Sequence, residues 1–305
     1  MTRKYTIPLI YFTCFLFLFG ESIQPAPRTA IYESVACRQH YANNASQFVD
    51  CKIAAVQEEL SLLIGMERFS IIIPTILAIP FAELADRIGH SRILSVAILG
   101  VFLEDLFPLV ITWFDEVFPI RLIWLHFVFC FVGGGFTVVV TLLHVIVAQI
   151  VEEDKRTTVF FRMRAAGVSA SVLGYAASGA IMKVNIWLPW AIGLAGLIVA
   201  TVTASVIPIT IAQKHDETEV PVDQVEDSGG YLRTKLKSTA RALKRITKLF
   251  TGGRHIPVIL LLAFLCQLGF DAVPLMLAIY ISKRFGWSFS DVSHHHLNLI
   301  QRTAN

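Results

Sequence analysis

Charge is what this chain has least of. Asp, Glu, Lys and Arg together make up 16% of it, against about 25% in a soluble protein, and the shortfall coincides with long apolar runs that are nearly free of ionisable side chains. So few charges cannot cover a water-exposed surface, which excludes an ordinary soluble domain. A formal net charge of only +3 gives no reason to expect a nucleic-acid partner. Five cysteines are too few for a disulfide-built scaffold, and none stands in a CxxC or CxxH spacing, so no metal site is expected. Also missing are a phosphate-binding glycine loop, a GxSxG nucleophile elbow and an HExxH helix, which removes the basis for ATP drive, for hydrolysis and for a cofactor. What remains is the composition of a multi-pass membrane protein, with the lipid bilayer as its first partner.

A helix needs about 20 apolar residues to cross a hydrocarbon layer about 30 Å thick. Seven stretches meet or approach this: Tyr5 to Gln24, Leu60 to Ala85, Ile93 to Phe114, Leu122 to Ala148, Ala165 to Met182, Ile186 to Ile211 and Ile256 to Ile281. The first, with Arg3 and Lys4 ahead of a short apolar run, also has the build of a signal peptide. No small-x-small cleavage site follows before Glu21, so it is read as a span. Either reading leaves residues 25–59 as a segment outside the cytoplasm.

With the N-terminus cytoplasmic, the inner segments carry seventeen Lys and Arg and the outer segments seven, the asymmetry of the positive-inside rule. Asn44-Ala45-Ser46 in the first outer segment makes Asn44 a candidate glycosylation site. Cys37 and Cys51 lie in the same oxidising compartment, as a disulfide or as two thiols; sequence gives no Cα separation to choose between them.

Three regions follow: a six-span part over 1–211, a hydrophilic linker over 212–255, and a seventh span with a polar tail over 256–305. The linker begins acidic and flexible in composition. From Tyr231 to Phe250 it changes character, with Leu232, Leu236, Ala240, Leu243, Ile246 and Phe250 at spacings of three or four and only positive charges between them. That pattern reads as a basic amphipathic helix lying on the inner leaflet, the alternative being a solvated helix packed on the bundle.

Between the second and third spans the chain reads Ala82-Glu83-Leu84-Ala85-Asp86-Arg87-Ile88-Gly89-His90-Ser91-Arg92. A very short turn between antiparallel helices needs a residue without Cβ, which Gly89 supplies. Asp86 can accept hydrogen bonds at the start of a neighbouring helix, and Arg87 and Arg92 hold positive charge inside. This loop resembles the signature loop of the major facilitator superfamily, through Leu84, Asp86, Arg87, Gly89 and Arg92; Ala82 stands where that family has Gly, and His90-Ser91 thins its basic cluster. Phe131-Val132-Gly133-Gly134-Gly135, Lys155-Arg156-Thr157-Thr158 and the stretch from Tyr280 to Trp287 are similar to fungal-type members associated with metabolite or drug efflux. The likeness covers about residues 5 to 290.

The resemblance implies an all-α polytopic bundle: the N-terminal six-helix half of a major facilitator fold, followed by a seventh span. It also implies secondary transport of a small organic molecule by alternating access across the plasma membrane. No eighth span follows Trp287, so against the family pattern the chain reads as C-terminally truncated. The competing readings are a non-transporting seven-helix receptor-like or regulatory protein, and an uptake carrier.

Ionisable groups at membrane depth are the best pointers to a substrate or proton path, because each costs about 2.5–3.5 kcal/mol to insert. Glu104 and Asp105 fall midway along span three and Asp271 in span seven, close to Pro274. Adjacent carboxylates lie about 100° apart on a helix and do not both face one cavity well. Glu67 and Arg68 read as side chains reaching for the interface. His126 and His144 in span four are spaced to share a helix face but not a metal, and buried, satisfied histidine is the plainer reading of both; Gln149 and Gln267 are equally ambiguous. Protons are a candidate second solute, although the span-four Arg of many proton-driven relatives is not recognisable. In span five Ala166, Ala170, Gly174 and Ser178 recur every four residues, and with Gly133, Gly134 and Gly135 in span four they read as helix-packing positions.

Overall fold

The computed structural model describes residues 3–42, 50–70, 78–207 and, singly, Val258, Leu261, Leu262, Leu265 and Tyr280. The chain divides into two compact units, Met1–Ala212 with Ile281–Asn305, and Gln213–Tyr280. The linker, Gln267, Asp271, the polar tail and Asn44 lie outside the described residues.

Helix α1 (Arg3–Ile23) is followed, after a bend at Gln24, by α2 (Pro25–Ala42). Pro25 explains the bend, since its ring disfavours helical backbone at the residue before it while suiting the first turn of the next helix. Residues 25–59, expected as an outer segment, contain two helices: α2 fills 25–42 and α3 (Ala54–Ser70) starts before residue 59. Hydropathy alone does not reveal α2, because its stability comes from one buried face carrying Ile31, Tyr32, Val35 and Ala36, packed in part against α3. Cys37 and Cys51 are joined by a disulfide with Cα atoms 5.3 Å apart. Beside it, Lys52 Nζ and Gln57 Nε2 donate to the Glu33 carboxylate at 2.7 and 2.5 Å.

The expected second span is seen as α3 and α4 (Ala78–Ile88), the residues between them lying outside the described set. Gly89 alone separates α4 from α5 (His90–Trp113). Span four is not one helix. It begins as a 3-10 helix (Ile120–Phe129), passes through the short α6 (Cys130–Gly133) and continues as α7 (Gly135–Ile150). Gly134 and Gly135 carry φ of +86° and +74°, a left-handed pair that ends one helix and starts the next. Span five, expected from Ala165, is α8 (Glu153–Met182), so Lys155 and Arg156 stand in its first turn and not in a loop; α9 is Leu188–Val206.

Among the described residues there is no strand, and five helical stretches are long and apolar enough to cross a bilayer: Thr6–Ala42, His90–Trp113, Ile120–Ile150, Glu153–Met182 and Leu188–Val206. The protein is an all-α, multi-pass membrane bundle. Helix α1 packs mainly against α8 and α9, while α5 packs against α7 and α9. Ile10, Phe17, Leu94, Ile98, Val139, Leu142 and Leu197 meet in the core.

The small-residue stripe of α8 faces α1 as Gly167, Ala170, Gly174 and Ser178, with Ala166 only partly buried. A strict four-residue repeat drifts around a helix of 3.6 residues per turn, so the buried face moves from Ala166 to Gly167. The approach is close: a Cβ at Gly174 would lie 3.0 Å from Ser22 Cβ and 3.1 Å from the Phe19 carbonyl oxygen. Gly133 allows a similar approach to α5, its nitrogen lying 3.2 Å from where Gly100 would carry a Cβ.

Candidate functional site

Two places concentrate polar chemistry. At the α4–α5 turn, Gly89 has φ 110° and ψ 133°, a region open essentially to glycine. Its N–H donates to the Ala85 carbonyl at 2.9 Å, and its carbonyl accepts from the Ile93 N–H. Asp86 Oδ1 lies 3.1 Å from His90 Nε2 at the start of α5, which in turn is 3.5 Å from Gln149 Nε2 on α7. Leu84 packs against the core; Asp86, Arg87 and Arg92 are exposed. Gly89→Ala is expected to cost about 1–3 kcal/mol of stability, read as a lower melting midpoint in detergent, with an unchanged midpoint showing that the turn relaxes freely.

The second place lies inside the bundle. Arg28 on α2 reaches two carboxylates on different helices: its NH1 donates to Glu67 Oε1 on α3 at 3.1 Å, and its NH2 bonds Asp105 Oδ1 on α5. Gln24 Nε2, at the α1–α2 bend, donates to the other Asp105 oxygen at 3.0 Å. Tyr32 Oη donates to Glu67 at 3.2 Å, and the Trp190 ring of α9 lies 5.2 Å from the Arg28 guanidinium carbon, a cation–π arrangement. Glu67 and Asp105 are 4% and 6% exposed. Glu67 therefore does not reach for the interface as expected. A partly buried cation holds it, and an unpaired buried charge would cost several kcal/mol.

Glu104 and Asp105 point to different partners. Asp105 turns to α1 and α2. Glu104 turns to the span-four segment, where Cys130 Sγ donates to its Oε2 at 3.1 Å and His126 Nε2 lies 3.6 Å from its Oε1. His126 is buried, while His144 on α7 is exposed, its Nδ1 2.7 Å from the Val140 carbonyl. The two histidines thus share no face, because the 3-10 stretch and the Gly134-Gly135 break interrupt the helical period assumed for them. Gln149 is exposed as well.

Sequence reasoning misses Arg28, Gln24, Tyr32, Cys130 and Trp190. Arg28 counts as an outer-segment cation until α2 is known to be helical. A signal was available in Gln24 and Arg28, which are spaced four apart and so share a face once the segment is a helix. Among the described residues no group of three or more His, Cys, Asp or Glu is placed to hold a metal ion.

A bundle of this kind, with a one-glycine turn between its second and third spans, invites comparison with known carriers. The model of the Major Facilitator Superfamily matches residues 9–295. The chain belongs to that superfamily. Among curated major facilitator proteins it is 25% identical over 283 residues to the MFS efflux pump atnC of Emericella nidulans, covering 89% of this chain and 54% of the relative. It is 28% identical over 285 residues to the efflux pump ustT of Aspergillus flavus (88% and 54%) and 30% identical over 284 residues to the MFS-type transporter aprT of the same organism (90% and 55%). The chain thus spans about half the length of these superfamily relatives.

Proposed function

We propose that residues 1–211 form the N-terminal half of a secondary carrier that exports a small organic molecule across the plasma membrane. In this reading residues 212–255 are the cytoplasmic connection and 256–305 begin the second half. The observation that carries it is the buried group of Arg28, Glu67 and Asp105 on three different helices. Charges inside an apolar bundle are costly and mark solute pathways, and in carriers such groups lie at the interface that rocks between inward and outward states. Export is favoured over uptake because the relatives carry the name efflux pump. A cytoplasmic N-terminus is supported by the cation asymmetry and by the Cys37–Cys51 disulfide, which suits an oxidising exterior.

The full reading frame, expressed in yeast with a C-terminal fluorescent tag that verifies plasma-membrane delivery, tests this against a panel of fluorescent organic dyes. Expressing cells are expected to retain less of at least one dye than vector controls, and Asp105→Asn is expected to abolish the difference. Equal retention across the panel, with protein present at the membrane, removes the export reading.

A further inference from the structure

Within the proposed carrier site, on which this inference rests, the Glu104–His126 contact has no hydrogen of its own. His126 Nδ1 lies 2.9 Å from the Ile123 carbonyl oxygen. A carbonyl can only accept, so Nδ1 carries the proton and, in neutral imidazole, Nε2 is a bare lone pair. That lone pair faces Glu104 Oε1 at 3.6 Å, which as a carboxylate is also only an acceptor. His126 is 1% exposed, and its Nε2 is buried with no hydrogen-bond partner among the described residues. Two buried acceptors turned toward each other lack one hydrogen, and the gap is too narrow for a water to bridge them at good angles.

We infer that Glu104 and His126 form a site for one proton, carried as the carboxylic acid of Glu104 and turned toward the His126 Nε2 lone pair 3.6 Å away, a gap that a small side-chain shift closes to a hydrogen bond. The neutral acid–imidazole pair is preferred to a carboxylate–imidazolium pair because burying two charges costs more than burying none. The surroundings act in the same direction. Arg28, the cation of the cluster, is engaged by Asp105 and Glu67. Asp105 on the same helix and Glu67 on α3 add negative charge, while Glu21 on α1 is hydrogen-bonded to Asp105. Tyr32 is bonded to Glu67 and leaves this balance unchanged. The Cys130 thiol, donating to Glu104 Oε2, and the positive charge of Arg28 favour the ionised form. The proton site is thus distinct from the Arg28 ion pairs, although its carboxylate is the chain neighbour of one that Arg28 holds.

Infrared difference spectroscopy on the full-length protein in lipid, titrated with pH in the absence of any substrate, tests the site independently of transport. One carboxylic-acid C=O band is expected to appear as pH falls and to be lost in Glu104→Gln. His126→Gln, whose amide can donate to the carboxylate, is expected to move the band's midpoint to lower pH by about one unit or more. Cys130→Ala, which removes a donor to the ionised form, is expected to move it to higher pH and serves if Glu104→Gln does not fold. Glu59→Gln, in the exposed pair with Arg121, is expected to leave it in place. A band that survives Glu104→Gln, or a midpoint insensitive to both His126→Gln and Cys130→Ala, overturns the inference. A Glu104 band with the expected shifts in a protein that moves no dye would keep the proton site and remove the carrier reading instead.

Discussion

Replacing Arg28 by methionine is expected to lower the stability of the bundle by about 3–5 kcal/mol, the usual result of deleting one partner of a buried ion pair. The effect is large because a single guanidinium neutralises Asp105 on α5 and Glu67 on α3 at once. Without it two carboxylates are left in an apolar surround, where Gln24 still donates to Asp105 and Tyr32 to Glu67. Arg28→Lys should recover part of the loss, since an ammonium supplies charge but not a rigid fork spanning two acceptors. Adding Asp105→Asn and Glu67→Gln to Arg28→Met should recover more than the lysine does, because neutral groups no longer need the cation. Thermal melting followed by size-exclusion chromatography in detergent measures all three. A wild-type melting midpoint for Arg28→Met would show that the cluster holds nothing together.

The second large effect is expected at the far end of α2. The Cys37–Cys51 bond closes a short segment, with a sequence separation of 14, and a loop of that size is worth about 3 kcal/mol through restriction of the unfolded chain. Cys37→Ser should lower the melting midpoint accordingly. Reductant should reproduce the loss in the wild-type protein and have no further effect on the double variant Cys37→Ser, Cys51→Ser. The single variant also frees one thiol, which a membrane-impermeant maleimide should label on intact cells. Labelling only after permeabilisation would place this end of the bundle in the cytoplasm and reverse the proposed orientation.

The outline of the fold was open to reading from the sequence because bilayer crossing leaves a strong compositional mark, and the turn at Gly89 because a backbone at φ 110° tolerates little but glycine. Helix α2 was hidden for the opposite reason. Its residues are too polar to register as a span, and the packing that stabilises it involves a segment more than ten residues away. The same blindness affected the site. Glu104 and Asp105 stand out in an apolar run, but their partners lie on other helices, so sequence inspection finds the charges without their pairing. His126 and His144 show a further limit: a spacing argument assumes an unbroken helix, and Gly134-Gly135 breaks this one. Glycines of that kind can equally serve close packing, as Gly133 does against Gly100, and nothing in the sequence says which role applies.

The run from Thr6 to Ala42 contains 37 residues, or about 55 Å of helix at 1.5 Å per residue, well beyond the roughly 30 Å of a hydrocarbon layer. Its far half is tethered twice, by sulfur to the turn just ahead of the third helix and by the guanidinium to that helix itself. Those two helices are therefore bound to swing as a single mast, and a spectroscopic reporter fixed near the tip would magnify any tilt made deep within the lipid.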